Sequence, residues 1–150
     1  MADWTTPSAV HSKCGETSGH EAVLAIDEDT ATYWIHTTVE NHWIIFDMGE
    51  TKKITQIQIY VGSSPSAFGG AAGLYVYVGD DPDNLGDAVW EGVLNAANQW
   101  NPSGTFDKNG RYVKLLSKSG GSGQRLYEFD AMAEAVGPPP PTAGLLVQVI

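Results

Sequence analysis

Trp43-Ile44-Ile45-Phe46-Asp47-Met48, followed after Gly49-Glu50-Thr51 by Ile54-Thr55-Gln56-Ile57-Gln58-Ile59-Tyr60, is the stretch that decides the fold. Both runs are rich in β-branched and aromatic residues and alternate with a period of two, which predicts two strands joined by a turn. In the second run Ile54, Gln56, Gln58 and Tyr60 fall on one face, and Ile57 and Ile59 on the other. Working outward, residues 74–78, 111–116 and 125–132 repeat the pattern, and residues 7–12 and 88–93 do so more weakly. Clusters of Gly, Asn, Asp, Pro and Ser separate the runs at 62–73, 79–84, 101–104, 108–110 and 117–123, as turn chemistry requires. One short helical turn is expected over 19–26. No sustained 3.6-residue period and no internal repeat is present. Short strands with frequent turns predict an all-β, antiparallel sandwich or barrel.

The bulk composition narrows the function. The chain has 150 residues, enough for one domain. Eighteen Asp and Glu against eight Lys and Arg give a net charge of −10, a surface that repels phosphate backbones. The densest basic spot is Lys52-Lys53 at a strand start, so no nucleic-acid partner is expected. The single cysteine, Cys14, excludes an intrachain disulfide and reads as a small packing residue. No run approaches the ~18–20 apolar residues of a membrane span, so no membrane insertion is expected. Met1-Ala2-Asp3-Trp4 has neither a basic nor an apolar segment and does not read as a signal peptide.

Two regions follow: a sandwich over 1–136, and a tail over 137–150 made of a proline-rich linker and an apolar, strand-like end. Pro138 to Pro141 favour an extended conformation that cannot join a central ladder. Residues 145–150 are apolar on both faces except at Gln148. They are expected to pair with a protein partner or a second copy by strand addition.

Four blocks, in order, resemble the discoidin superfamily, which includes the coagulation factor V/VIII type C domains and galactose-binding-like carbohydrate-binding modules. They are Ala25-Ile26-Asp27-Glu28-Asp29-Thr30-Ala31-Thr32-Tyr33-Trp34, the run from Trp43 through Tyr60, Gly110-Arg111-Tyr112-Val113-Lys114-Leu115, and Leu126-Tyr127-Glu128-Phe129-Asp130. The resemblance covers roughly residues 5–136 and implies a jelly-roll sandwich without catalysis that binds ligands through loops at one end. It also implies a structural Ca²⁺ held by Leu24, Asp27, Asp29, Thr32, Tyr127 and Glu128, with Leu24 and Tyr127 contributing backbone carbonyls. The residues agree, since carboxylates and a hydroxyl crowded on a turn are hard oxygen ligands that suit Ca²⁺. Glu28 stands where the family has Gly, at a turn expected to need a positive φ.

For ligand binding the resemblance points to His36, with His42 beside it. The family's loop Arg has no counterpart, so Arg125 is the candidate replacement, while Phe68 and Trp100 are candidate stacking rings. Trp34 and Trp43 match core positions. No nucleophile elbow, zinc-binding histidine spacing or phosphate loop occurs, so an enzyme is not expected. The expected function is a non-catalytic module for cell-surface or polysaccharide glycans, placed extracellularly or on a virion. The alternative is a structural or decorating subunit of a virion or surface filament that assembles through its tail.

Overall fold

The computed structural model describes residues 1–36, 41–63, 67–121 and 123–136. The tail at 137–150, and the docking role expected of 145–150, lie outside the described residues. Ten strands form: β1 Asp3–Thr5, β2 Ala9–Lys13, β3 Trp34–Ile35, β4 Trp43–Val61, β5 Leu74–Gly79, β6 Trp90–Gly92, β7 Gln99–Pro102, β8 Lys108–Ser117, β9 Arg125–Leu126 and β10 Glu128–Ala135. Two short 3-10 helices occupy Ala22–Ile26 and Gly70–Ala72. The strands pair antiparallel in the order β1-β10-β4-β8-β5-β6, with β2 and β7 also on β4, and β3 pairs with β9. The result is the predicted antiparallel β-sandwich.

β4 is the seam of the sheet. The two runs expected to be separate strands are one strand of 19 residues, so the turn predicted at Gly49-Glu50-Thr51 does not form. A register shift against β8 between Asp47 and Lys52 takes its place, with Gly49 at φ 90° and its N–H donated to Asp47 Oδ1 at 2.7 Å. An irregularity of this kind bends a strand without ending it, so β4 serves β2 with its first half and β10 and β7 with its second. A second shift corrects the facing of Ile54. Met132 lies opposite Gln56 but Ala133 lies opposite Ile54, so Thr55 is the extra residue. The inserted residue flips the parity of the strand. Ile54 therefore joins Ile57, Ile59 and Val61 in the core instead of facing away from them.

The core is filled by these residues together with Ile44, Phe46, Leu74, Val76, Val78, Val113, Leu115 and Phe129. Phe46 and Phe129 stack at 4.2 Å across it. Trp34 is fully buried, as expected, and its Nε1 donates to the Gly15 carbonyl at 2.8 Å. Trp43, expected in the core, is half-buried beneath the Lys114 ammonium. Cys14 packs against the core edge, and its Sγ accepts the Trp43 N–H at 3.4 Å.

Candidate functional site

The 3-10 helix Ala22–Ile26 delivers the chain into a tight acidic turn. Asp27 Oδ1 accepts the Asp29 N–H at 3.0 Å, and Asp29 Oδ1 accepts the Ala31 N–H at 2.8 Å. The Thr32 hydroxyl lies 2.6 Å from Asp27 Oδ2 and 3.1 Å from the Asp29 carbonyl. Glu28 sits between at φ 63°, the left-handed conformation expected where the family has Gly. Thr6 ties Glu28 to the sheet, with its hydroxyl 3.3 Å from Glu28 Oε1 and 3.1 Å from Asp130 Oδ1.

This turn closes over the start of β10, where Glu128 is almost fully buried. Its carboxyl is in hydrogen-bonding contact with that of Asp27. Burial, then the Asp27 carboxyl, then the charge of Asp130 push Glu128 up to about 9, so it is a neutral acid at pH 7. Burial also pushes Asp27 up, but hydrogen bonds with Glu128, Thr32 and the Asp29 N–H outweigh it and hold Asp27 below the ordinary carboxylate range. Glu128 Oε1 is buried without a hydrogen-bond partner. A cleft of about 120 Å³ opens beside it, lined by Thr6, Glu28, Thr30, Trp100, Glu128 and Asp130.

Of the six residues expected to hold Ca²⁺, Asp27, Thr32 and Glu128 meet through side chains. Leu24 lies in the 3-10 helix, and Tyr127 directly precedes Glu128. Asp29 Oδ1 accepts the Ala31 N–H. Among the described residues no three His, Cys, Asp or Glu side chains converge on one point.

The five expected ligand contacts divide. His36 is 3% exposed and His42 0%, with their rings stacked at 3.5 Å. His36 also packs edge-on to Trp34 at 5.9 Å. Phe68 is 1% exposed and lies against Trp34 at 5.6 Å. These three rings are buried at the wall of the core. The loop at 37–40, between the two histidines, lies outside the described residues.

Arg125 and Trp100 are half-exposed. The Arg125 guanidinium lies over the Tyr33 ring at 4.5 Å, and its Nη1 is 3.4 Å from the Tyr127 hydroxyl. His20 stacks on Tyr33 at 4.3 Å. Tyr127 lies 4.9 Å from Tyr33 and 6.5 Å from Tyr60, and Tyr60 meets Trp100 edge-on at 5.7 Å. His20, Tyr33, Arg125, Tyr60 and Trp100, all half-exposed, are thus joined through the buried Tyr127 ring. The cluster forms where β4 ends and β9 and β10 begin. Tyr60 is the cross-strand partner of both Trp100 and Glu128, which joins the rings to the acidic turn. Gly62 allows the arrangement, since a Cβ there would lie 2.4 Å from the Tyr127 ring. Sequence reasoning missed Tyr33 and His20. Tyr33 was legible from its place before buried Trp34, since successive strand residues face opposite sides. A larger groove of about 500 Å³, between β2 and the first 3-10 helix, contains none of the expected site residues.

The fold and the loop-end surface define a discoidin-type β-sandwich, and the comparisons agree. The F5/8 type C domain family matches residues 7–129, and the chain belongs to that family. The C-terminal domain of a chitobiase from Bacteroides fragilis is similar in structure, at 19% identity and a TM-score of 0.75, over 90% of this chain and all of that one. The family 32 carbohydrate-binding module of NanJ from C. perfringens, solved with galactose, is similar at 16% identity and a TM-score of 0.71, over 87% of this chain and 98% of that one. The corresponding module of AlyQ, solved with 4,5-unsaturated mannuronic acid, gives 18% identity and a TM-score of 0.69, over 87% and 98%. No curated protein matches. Among the described residues no helix is long and apolar enough to cross a membrane.

Proposed function

We propose that this chain is a non-catalytic glycan-binding module that presents sugars to the ring surface at its loop end, with a Ca²⁺ ion bracing the turn beneath. The observation that carries the reading is the set of half-exposed rings His20, Tyr33, Tyr60 and Trp100, linked through buried Tyr127 and flanked by the Arg125 guanidinium. Sugar rings dock on such surfaces by their apolar faces, while neighbouring polar groups set orientation. The surface is shallow, so modest affinity is expected. Structural relatives were solved with galactose, chitotriose and unsaturated mannuronic acid, which supports glycans as the ligand class.

Ca²⁺ fits the acidic turn on one observation: two carboxyls in contact, one of them with a buried, unpartnered oxygen. Asp27, Thr32 and Glu128 would hold the ion by side chains, with Leu24, Asp29 and Tyr127 supplying carbonyls. The ion's role would be structural, replacing a proton between Asp27 and Glu128 with a divalent charge. A glycan array probed with and without Ca²⁺ tests the function, followed by titration of Tyr33→Ala and Trp100→Ala. Binding should be lost or strongly weakened in both variants. Equal binding by wild type and both variants would move the site elsewhere, and no binding to any glycan would refute the reading.

A further inference from the structure

Resting on the glycan-binding reading, we infer that the ring surface selects carboxylated sugars, with the Arg125 guanidinium gripping the sugar carboxylate. The argument begins with the chain's eight cations. Lys13, Lys52, Lys53, Arg111 and Lys118 each have a carboxylate within 4.0 Å. In a chain with 18 acidic side chains that is the expected outcome. Lys108, Lys114 and Arg125 have none among the described residues, and of these three Arg125 alone carries a guanidinium fork. Among the described residues the Arg125 guanidinium meets the Tyr33 ring and the Tyr127 hydroxyl.

The guanidinium is also held in place. Arg125 pairs with Ile35 across β3 and β9, bridges to Ala67, and accepts the Phe68 N–H on its carbonyl at 3.0 Å. Tyr33 is itself fixed by the stacked His20 ring. A backbone pinned on three sides and a side chain laid on a ring lose little freedom on binding, which favours affinity. One nitrogen of the planar fork faces Tyr127, and among the described residues its other donors make no hydrogen bond. A guanidinium fork matches a carboxylate through two parallel, charge-assisted hydrogen bonds. A neutral sugar offers it only single hydroxyl contacts. The rings of Tyr33 and His20 beside the fork would meet the body of the same sugar. The net charge of −10 does not forbid an acidic ligand, since exposed charges beyond ~8 Å are largely screened at physiological salt.

Hexuronic acids and sialic acids share this pyranose carboxylate, and the test separates them. Wild type, Arg125→Lys and Arg125→Gln are titrated calorimetrically with trigalacturonate, its methyl ester, sialyllactose and a neutral galactose trisaccharide. Wild type should bind one of the two acids about tenfold or more tighter than the neutral sugar. Arg125→Gln should erase that preference, weakening the preferred acid far more than the neutral sugar, and Arg125→Lys should keep part of it. If trigalacturonate is the preferred acid, its methyl ester, which leaves the protein untouched, should fall to the neutral level. A wild-type preference for the neutral sugar would overturn the inference and leave the glycan reading standing. So would an equal loss of acidic and neutral binding in Arg125→Gln. Wild type binding none of the four sugars, and no sugar on the array, would take down both.

Discussion

Two carboxyl corners, at Asp47 on β4 and Glu128 on β10, have opposite solutions. At one, Asp47 Oδ1 and Oδ2 accept Arg111 Nε and Nη2 at 2.8 and 3.0 Å, a bidentate pair between β4 and β8. The Arg111 guanidinium, despite burial, holds the Asp47 carboxyl below the ordinary range, and the Gly49 N–H adds to it. At the other, Glu128 meets Asp27 with no cation beside it and is pushed up to about 9. The first corner is complete within the chain. The second is stable without help only by keeping a proton, and the groups gathered there are all oxygen donors. The proposed Ca²⁺ would take the place of that proton and supply at the second corner the positive charge that Arg111 supplies at the first.

The largest expected effect tests that difference. With free Ca²⁺ at a hundred times its dissociation constant, mass action contributes about 2.7 kcal/mol. For a chain of this size that is a rise in melting midpoint of about 5–10 °C over EDTA. Glu128→Gln should abolish the rise, yet melt no lower than wild type in EDTA, because it removes a carboxyl that is neutral there. A variant with the full Ca²⁺ response would show that the ion binds elsewhere. Asp47→Asn should leave the response intact while lowering the midpoint in both conditions.

The next effect is in pH, and the two corners should pull in opposite directions. A depressed carboxyl stabilises the fold above its unfolded value and loses that contribution as pH falls through the folded value. Asp47 should therefore contribute at pH 7, and Asp47→Asn should match wild type only in strong acid. A raised carboxyl stabilises below its unfolded value and loses that contribution as pH rises. In EDTA, Glu128 should make wild type progressively less stable from its ordinary value of 4.5 toward 9, a slope absent in Glu128→Gln. Denaturant midpoints measured across this range check both signs, and parallel slopes for wild type and Glu128→Gln would break the comparison.

A smaller effect sits within the acidic turn. Glu28 occupies φ 63°, a conformation costing a non-glycine residue roughly 1–2 kcal/mol. Glu28→Gly relieves that strain but adds freedom to the unfolded chain worth about 0.4–1 kcal/mol, and it loses the Thr6 contact. A net gain of a few tenths of a kcal/mol is expected, read as a midpoint shift of about 1 °C. Ending the chain at Gly137 should change the sandwich midpoint least of all. Light scattering on both lengths then reports whether 145–150 assembles copies.

The sandwich was legible because its strands carry strong alternation and its turns carry Gly, Asn and Asp in runs. What escaped was set by tertiary pairing. Gly49-Glu50-Thr51 has turn chemistry, yet β4 pairs with β8 both before and after it, which turned it into a bend. Thr55 gives no local sign that it is an inserted residue, because only the register with β10 defines it as one. β1, β3 and β7 have 3, 2 and 4 residues, too few for a period to show. The acidic turn was readable because its residues are close in sequence and their chemistry is local. The ring surface was only half readable. Arg125 and Trp100 are on it, whereas His36, His42 and Phe68 are buried, and which way a loop aromatic turns depends on what the core leaves unfilled.

The most direct measurement is a calorimetric titration of metal-stripped protein with Ca²⁺, paired with native mass spectrometry. One ion per chain should bind wild type, with binding lost in Glu128→Gln and strongly weakened in Asp27→Asn. Wild type that shows neither heat nor added mass at millimolar Ca²⁺ would contradict the account, and the proton between Asp27 and Glu128 would then be the corner's own solution.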